Sequence, residues 1–198
     1  MADESGAAPE MSNDLPGAAF GEPVGLTPFT TADEAAVAAE LGRTPRGVLA
    51  VAFRCGHWVP AVLQTAPRLP DGTPFPTMFY LSCSGLTAAV SRMESAGVMR
   101  EMSERLASDP DLRQRYGLAH RAYLAVRNAV DDLGISASAG GMPDRVKCLH
   151  ALLGHALAVG PGVNPFGDEV VSLLPEYVKG RPCVQSDAGG RWVSSPAG

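Results

Sequence analysis

Four cysteines and four histidines carry the most specific chemistry in this 198-residue sequence. Thiolates and imidazoles are ligands that zinc prefers in proteins, and thiolates also hold iron–sulfur clusters. Two short patterns combine both residue types, namely Cys55-Gly-His57 and Cys148-Leu-His150. We therefore expect zinc or an iron–sulfur cluster as the cofactor. The alternative is that the cysteines are buried thiols without a ligand, because free cysteine packs like a small apolar residue.

The predicted strands bring two of the cysteines to one end of a sheet. Strand-like runs cover residues 48–53, 59–65 and 78–82, and they predict an antiparallel meander that runs up, down and up. Cys55 follows the first run and Cys83 follows the third. Both thiols are therefore expected at the same end of the sheet, where they could share a metal ion.

A third cysteine lies in a predicted helix over residues 143–159. A regular helix points Cys148 and His150 about 160° apart, and it separates Cys148 from His155 by two turns, or about 10 Å. Unless its start is irregular, this helix supplies one ligand to a metal and not two. The predicted metal site consists of Cys55, Cys83 and Cys148, with His57 or His150 as the fourth ligand.

A glycine loop before the same helix is a second candidate site. Gly140 and Gly141 precede the predicted helix start, and Arg145 and Lys147 fall in its first turn, where the helix dipole disfavours cations. A bound anion such as phosphate would explain them. Alternatively, Asp144 caps the helix and pairs with both cations. This alternative is favoured because the glycine loop lacks the Gly-Lys-Ser/Thr ending of a phosphate-binding P-loop.

Nucleophilic catalysis has the least support among the chemistries considered. Cys148 lies beside Lys147 near a predicted helix start, a setting that can lower a thiol pKa. No Gly-x-Ser-x-Gly pattern occurs in the chain. Whether the protein is an enzyme stays open at this level.

Helical periodicity around the predicted strands indicates an α+β fold, in which a small three-stranded antiparallel sheet is covered by four to six helices. Pro60 favours an edge position for the second strand, because proline cannot donate to the ladder. The predicted helices cover residues 31–42, 86–97, 98–108, 110–133, 143–159 and 169–178. On the long fourth helix the expected solvent-facing residues are Arg113, Arg115, Arg121 and Arg127.

The chain length predicts one domain with two tails. Residues 1–29 are rich in Gly, Ala and Pro and are expected to form a disordered leader. Residues 30–180 form the predicted domain, and residues 181–198 form a flexible tail. Cys183 falls in that tail, so it is expected to be absent from the metal site and freely alkylated.

Composition excludes several classes of protein. A net charge of −5 argues against general nucleic-acid binding. No apolar run is long enough to span a membrane, and the first residues lack the features of a secretory signal. Four cysteines in a chain with a substantial apolar core are typical of a cytoplasmic protein with reduced thiols.

Several segments together resemble a bacterial family catalogued as domain of unknown function 501. The similarity covers residues 32–174, and the segment Ser138 to His150 (SAGGMPDRVKCLH) is its most specific part. Members have proline where this chain has Gly56 and Ser84. These departures retain the cysteines, but they weaken the case for His57 as a metal ligand. The family carries no established activity.

Two classes of function remain open on this reading. One is a metal or iron–sulfur protein with a structural or redox role. The other is a regulatory module that binds an anionic, phosphate-like ligand or a protein partner. Genes of similar proteins in high-GC Gram-positive bacteria tend to neighbour those of a septum-formation initiator and an exopolyphosphatase, so the resemblance implies a division-associated partner for the second class.

Overall fold

Three antiparallel strands form the sheet that the sequence predicts. In the computed structural model, which describes residues 20–177 and 183–195, these strands are β1 (Val48–Arg54), β2 (Pro60–Thr65) and β3 (Phe79–Leu81). β2 lies between β1 and β3 and pairs with both. All of its residues are buried, so the centre of the sheet is covered on both faces.

The edge position predicted for the second strand is wrong. Pro60 is the first residue of β2 and lies opposite Arg54. A sheet accepts proline at the first position of a strand because few ladder hydrogen bonds are lost there. The central place of β2 separates the ends of β1 and β3, with consequences for the predicted metal site.

Helices pack on this sheet and on one another, which confirms the α+β class. α5 contacts β3, and α6 packs on both α5 and α2. The largest apolar cluster lies among these elements and includes Phe79, Tyr116 and Phe166. The helices of the described residues are α1 (Thr31–Leu41), α2 (Ser84–Ser95), α3 (Val98–Ser108), α4 (Pro110–Val130), α5 (Leu149–Val159) and α6 (Pro165–Tyr177).

Local signals account for where several helices begin. Asp109 caps α4 by accepting a hydrogen bond from the Leu112 N–H at 2.9 Å, with Pro110 at the first helical position. α1 begins with a capping box between Thr30 and Asp33, one residue before the predicted pair. The two Arg54 guanidinium nitrogens also bind the Asp33 carboxylate, at 2.6 and 2.9 Å, which ties the start of α1 to the end of β1.

α5 begins six residues later than predicted. The segment before it forms turns, in which the Arg145 N–H donates to the Gly141 carbonyl and the Lys147 N–H to the Gly140 carbonyl. Cys148 is the N-cap of α5 and has extended backbone angles, φ −152° and ψ 109°. The irregular start that would free the Cys-x-His pattern from helical geometry is therefore present.

A small hairpin lies within the segment predicted to be a tail. β4 (Val184–Ser186) pairs with β5 (Trp192–Ser194), and buried Val184 packs with Ala36 and Val59. At the other end, Thr27 pairs with Val51. The rest of the predicted leader and tail, residues 1–19, 181–182 and 196–198, lies outside the described residues, and the predicted domain boundaries stay a prediction.

No helix within residues 20–177 and 183–195 has the length and apolar character needed to cross a membrane.

Candidate metal and thiol sites

Three potential metal ligands meet where α2 ends and α5 begins. Glu94 lies in the last turn of α2, Cys148 is the N-cap of α5, and His150 lies in the first turn of α5. One ligand atom from each residue lies within 4.8 Å of the other two. The His150 Nδ1 is 3.3 Å from Glu94 Oε1 and 3.9 Å from Cys148 Sγ. We call these residues the Glu94 group.

The extended backbone of Cys148 explains why two residues of one short pattern converge. In a regular helix their side chains would diverge, but an N-cap residue lies outside the helical turn. Cys148 can therefore turn its sulfur toward the Nδ1 of His150. Both residues are predicted ligands, and only a regular helix would hold their side chains apart.

Hydrogen bonds fix the orientation of this group. The Leu149 N–H donates to Glu94 Oε1 at 2.8 Å, so the carboxylate occupies the start of α5. Ser91, one turn before Glu94 on α2, lies with its Oγ 3.3 Å from His150 Nε2. Because Ser91 engages Nε2, the other ring nitrogen of His150 faces the thiol and the carboxylate.

The electrostatics of the group favour a charged thiolate beside a charged imidazole. The hydrogen bond with His150 lowers the pKa of Cys148, assisted by the Ala151 N–H. The same bond, together with the charge of Glu94, raises the pKa of His150. Partial burial opposes both shifts without reversing them.

A groove with a volume of about 540 Å³ runs alongside the group. Cys148 and His150 line one part of it, and Glu40 and Ser84 line another. Tyr80 adds an aromatic wall. The Glu94 group is therefore adjacent to a space large enough for a small molecule.

A second group of ligand atoms contains Glu40, Cys83 and Cys183, again within 4.8 Å of one another. The two sulfurs are 3.5 Å apart. Cys83 is the N-cap of α2, and Cys183 immediately precedes β4. We call these residues the Cys83–Cys183 group. Cys183, which was predicted to lie in a flexible tail outside the metal site, therefore contacts one of the predicted metal ligands.

The three sulfurs of the predicted metal site do not form one group. Among the described residues, Cys83 and Cys148 belong to two different groups, and Cys55 belongs to neither. Cys55 and Cys83 do lie at the same end of the sheet, since their N–H groups donate to Val59 and Ala61 at the start of β2. They are nevertheless on opposite sides of the central strand, so about two strand spacings, or roughly 10 Å, separate their backbones.

The other predicted ligand of the turn, His57, is an exposed residue between β1 and β2 and is also outside both groups. In the Cys83–Cys183 group the hydrogen bond from Cys83 is the main cause of the lowered pKa of Cys183, and His57 adds to it. Cys55 is half-buried and packs against the small apolar cluster around Val59 and Val184. Of the five predicted metal ligands, only Cys148 and His150 are brought together.

The predicted anion site has a different setting from the one expected. Gly140, Gly141, Arg145 and Lys147 belong to the turns before α5 and not to its first turn. The start of α5 is occupied by the protein's own Glu94 carboxylate and Cys148 thiol. The helix dipole therefore gives no support to a phosphate at these residues, and anion binding there stays a prediction from sequence.

Glu94, Ser91 and Glu40 were not found by sequence reasoning, because each meets its partners only through packing of distant segments. Cys183 had a usable local signal. The segment from Cys183 to Ser194 holds two short alternating runs around Asp-Ala-Gly-Gly, which is typical of a hairpin with a four-residue turn.

Comparison with known proteins gives one family. The family described as "Protein of unknown function (DUF501)" matches residues 51–172, which include Glu94, Cys148 and His150. No curated protein and no solved structure matches the chain.

Proposed function

The chain belongs to the DUF501 family of proteins of unknown function, and we propose from its own geometry that it is a zinc-binding protein. Glu94, Cys148 and His150 are the proposed ligands. The observation that carries the proposal is the convergence of these three donor atoms within 4.8 Å beside a groove. Three protein ligands leave one tetrahedral position of zinc free for water or a small molecule, as in catalytic zinc sites.

The distances suit a zinc ion. With bonds of about 2.3 Å to sulfur and about 2.0 Å to nitrogen or oxygen, tetrahedral ligand atoms stand roughly 3.3–3.5 Å apart. The Glu94 Oε1 to His150 Nδ1 distance is 3.3 Å, and the Cys148 Sγ to Nδ1 distance is 3.9 Å. Cys148 Sγ and the Glu94 carboxylate lie within 4.8 Å of each other, so the sulfur must move closer to both partners to complete the set.

The contacts around the ligands support the same reading. A zinc-binding histidine commonly donates its second N–H to an acceptor, which fixes the ring and leaves the first nitrogen free for the metal. Ser91 Oγ, 3.3 Å from His150 Nε2, is placed to accept such a hydrogen bond. A divalent ion would also neutralise the two negative charges of a Cys148 thiolate and the Glu94 carboxylate.

The donor set favours zinc over the iron–sulfur alternative. Iron–sulfur clusters are usually held by four thiolates. The Glu94 group offers one sulfur and the Cys83–Cys183 group offers two. A zinc ion, if bound, would supply Lewis-acid chemistry beside the groove; Glu94, Cys148 and His150 would hold it, and Tyr80 and Ser82 line the neighbouring space.

The test is zinc binding by the full-length chain, which is stripped with a chelator and then supplied with Zn²⁺. Elemental analysis of the reloaded chain is expected to give one zinc ion per chain, and competition with a chromogenic chelator gives the affinity. Cys148→Ser and Glu94→Gln are expected to remove most of that affinity. Ser91→Ala is expected to keep the stoichiometry and weaken binding about 10- to 100-fold, because the histidine loses its orienting partner.

Matched controls come from the cysteines outside the Glu94 group. Cys55→Ser and Cys183→Ser are expected to bind zinc as the parent chain does. Unchanged zinc affinity in Cys148→Ser would contradict the proposal. Loss of zinc in Cys183→Ser alone would move the metal to the Cys83–Cys183 group.

A further inference from the structure

Two thiols distant in sequence face each other at the start of α2. The Cys83 Sγ is 3.5 Å from the Cys183 Sγ, and all four cysteines of the chain are free. A disulfide needs an S–S distance of about 2.05 Å, so the two sulfurs must approach by roughly 1.5 Å.

The chain makes room for the second sulfur. Gly85 lies in the first turn of α2, and a Cβ built on it would stand 2.7 Å from Cys183 Sγ and 3.9 Å from Cys83 Sγ. The backbone of Gly85 lies outside the left-handed region, so its conformation does not require glycine. The missing side chain instead lets Cys183 Sγ approach the backbone, where the Gly85 N–H donates to it at 3.1 Å.

The two thiols differ in the way that thiol–disulfide exchange requires. Cys183 is half-exposed and accepts hydrogen bonds from Cys83 and from the Gly85 N–H, which lower its pKa to about 5. Cys83 is only 5 % exposed, and its interaction with Cys183 together with burial raises its pKa. One sulfur is thus an accessible thiolate and the other a protected thiol.

We propose that Cys183 and Cys83 form a thiol–disulfide exchange site that reduces a low-molecular-weight disulfide. The Cys183 thiolate attacks one sulfur of R–S–S–R, the S–S bond breaks, and one RS⁻ leaves. Cys83 then loses its proton and attacks Cys183 Sγ, which releases the second RS⁻ and forms the Cys83–Cys183 disulfide. The two protein sulfurs lose two electrons, and the substrate gains them.

Glu40 is placed to receive the proton in the second step. An oxygen of its carboxylate lies within 4.8 Å of both sulfurs. Its Oε2 also accepts the Ser84 N–H at 2.6 Å, which holds the carboxylate at the start of α2. Glu40 and Ser84 also line the groove, and Cys183 is itself partly exposed, so a small disulfide can approach its sulfur from solvent.

The reaction also creates a covalent link between two distant parts of the chain. The new bond would join the segment before β4 to the start of α2, two points 100 positions apart. The β4–β5 hairpin rests on α1, which carries Glu40. This exchange site shares no ligand residue with the proposed zinc site, and neither proposal depends on the other.

The experiment uses the reduced, metal-free full-length chain and oxidised glutathione as the probe. We expect Cys83 and Cys183 to be lost as free thiols, and a peptide map under non-reducing conditions is expected to link Cys83 to Cys183. Cys83→Ser is expected to stop at the first step, with one glutathione attached to Cys183. Cys183→Ser is expected to lose the fast reaction, and Gly85→Ala is expected to slow it because the added Cβ displaces the sulfur.

Cys55→Ser serves as the control and is expected to react as the parent chain does. A linked peptide that contains Cys55 or Cys148 in place of Cys183 would overturn the proposal. Release of two glutathione thiols from each glutathione disulfide by the Cys83→Ser chain would also overturn it, because the proposal assigns the second release to Cys83. A third arm adds Zn²⁺ to Cys148→Ser. Protection of Cys183 by one bound zinc in that chain would identify the Cys83–Cys183 group as a metal site instead.

Discussion

At the scale of single residues, His155 makes the stability of the protein depend on pH. Its ring is buried, stacks on Phe79 at 5.8 Å, and meets Tyr123 edge-on at 5.1 Å. Asn164 Nδ2 lies 3.2 Å from His155 Nδ1, while Nε2 has no partner among the described residues. Burial lowers the pKa of His155 from 6.5 to about 4, because a charged ring there would lose its hydration.

The sign of the resulting pH effect follows from proton binding. Between pH 6.5 and about 4 the unfolded chain protonates this residue and the folded chain does not. The free energy of unfolding contributed by His155 is therefore present above pH 6.5 and is lost as the pH falls toward 4. The loss amounts to about 3 kcal/mol, from 1.4 kcal/mol per pKa unit. His155→Gln is expected to flatten the slope of unfolding free energy against pH, measured by urea denaturation at several pH values.

His57→Gln is the matched control, since it removes a histidine at an exposed position. The two variants are compared by the slope of unfolding free energy against pH. Absolute stability is not compared, because the glutamine in His155→Gln also alters the packing against Phe79. An unchanged slope in His155→Gln between pH 6.5 and 4 would show that other groups cause the pH dependence.

Arg127 illustrates which residues the sequence could not assign. Helical periodicity put it with the solvent-facing arginines of α4, yet it is 0 % exposed. Its guanidinium donates to the carbonyls of Ile135 and Ala137 in the loop after the helix. A charged residue type predicts exposure on average. Here the loop after the helix folds back over Arg127, and its carbonyls accept the hydrogen bonds that water would accept at the surface. No residue spacing in the sequence indicates that the loop takes this course.

At the scale of elements, the close contact between α5 and β3 depends on Gly154. A Cβ on this residue would lie 2.6 Å from the Phe79 carbonyl oxygen, a distance that real contacts do not allow. Gly154→Ala is therefore expected to destabilise the protein by about 2 kcal/mol, within the range for overpacked cores. This reverses the usual gain of about 1 kcal/mol from replacing glycine inside a helix. Thermal or urea unfolding measures the change.

Gly117 in α4 offers the matched comparison. A Cβ there would meet only Arg121, with Nη1 at 3.7 Å, so helix propensity alone should decide the effect. Gly117→Ala is expected to raise the free energy of unfolding by about 0.5–1 kcal/mol. Equal effects of the two substitutions would mean that α5 can move away from β3 without cost. Because Cys148 and His150 begin α5, such a movement would also loosen the Glu94 group.

Elements with strong periodic patterns were predictable, and those governed by turns were not. The three strands and the boundaries of α3 (Val98–Ser108) follow from alternation and helical spacing. The start of α5 was misjudged because Pro143 and Asp144 look like an N-terminal signal, whereas backbone bonds to Gly140 and Gly141 hold a turn there. Regular helical geometry therefore argued against Cys148 and His150 as a pair, although both were predicted ligands.

At the scale of the whole molecule, residues beyond the family match contribute to the fold. The match ends at residue 172, yet the β4–β5 hairpin covers α1 and brings Cys183 to Cys83. The main apolar cluster contains no residue of this hairpin, whereas the smaller cluster contains Val184 with Ala36 and Val59. The hairpin therefore adds stability to one side of the molecule and is not part of its main core.

Removal of residues 183–198 is accordingly expected to leave a cooperative fold that is less stable than the full chain. Val184 is 2 % exposed, and burying a valine side chain contributes about 1.5–3 kcal/mol, so the truncated chain should lose about that amount. Urea unfolding followed by circular dichroism gives the difference. Val184→Ala in the full chain is expected to reproduce part of the loss, and Gln185→Ala at the exposed neighbouring position is expected to cost less than 0.5 kcal/mol. A truncated chain as stable as the parent would instead support the dispensable tail that the composition predicts. In that case the hairpin would not stabilise the fold, and of the two roles described here it would keep only the placement of Cys183 beside Cys83.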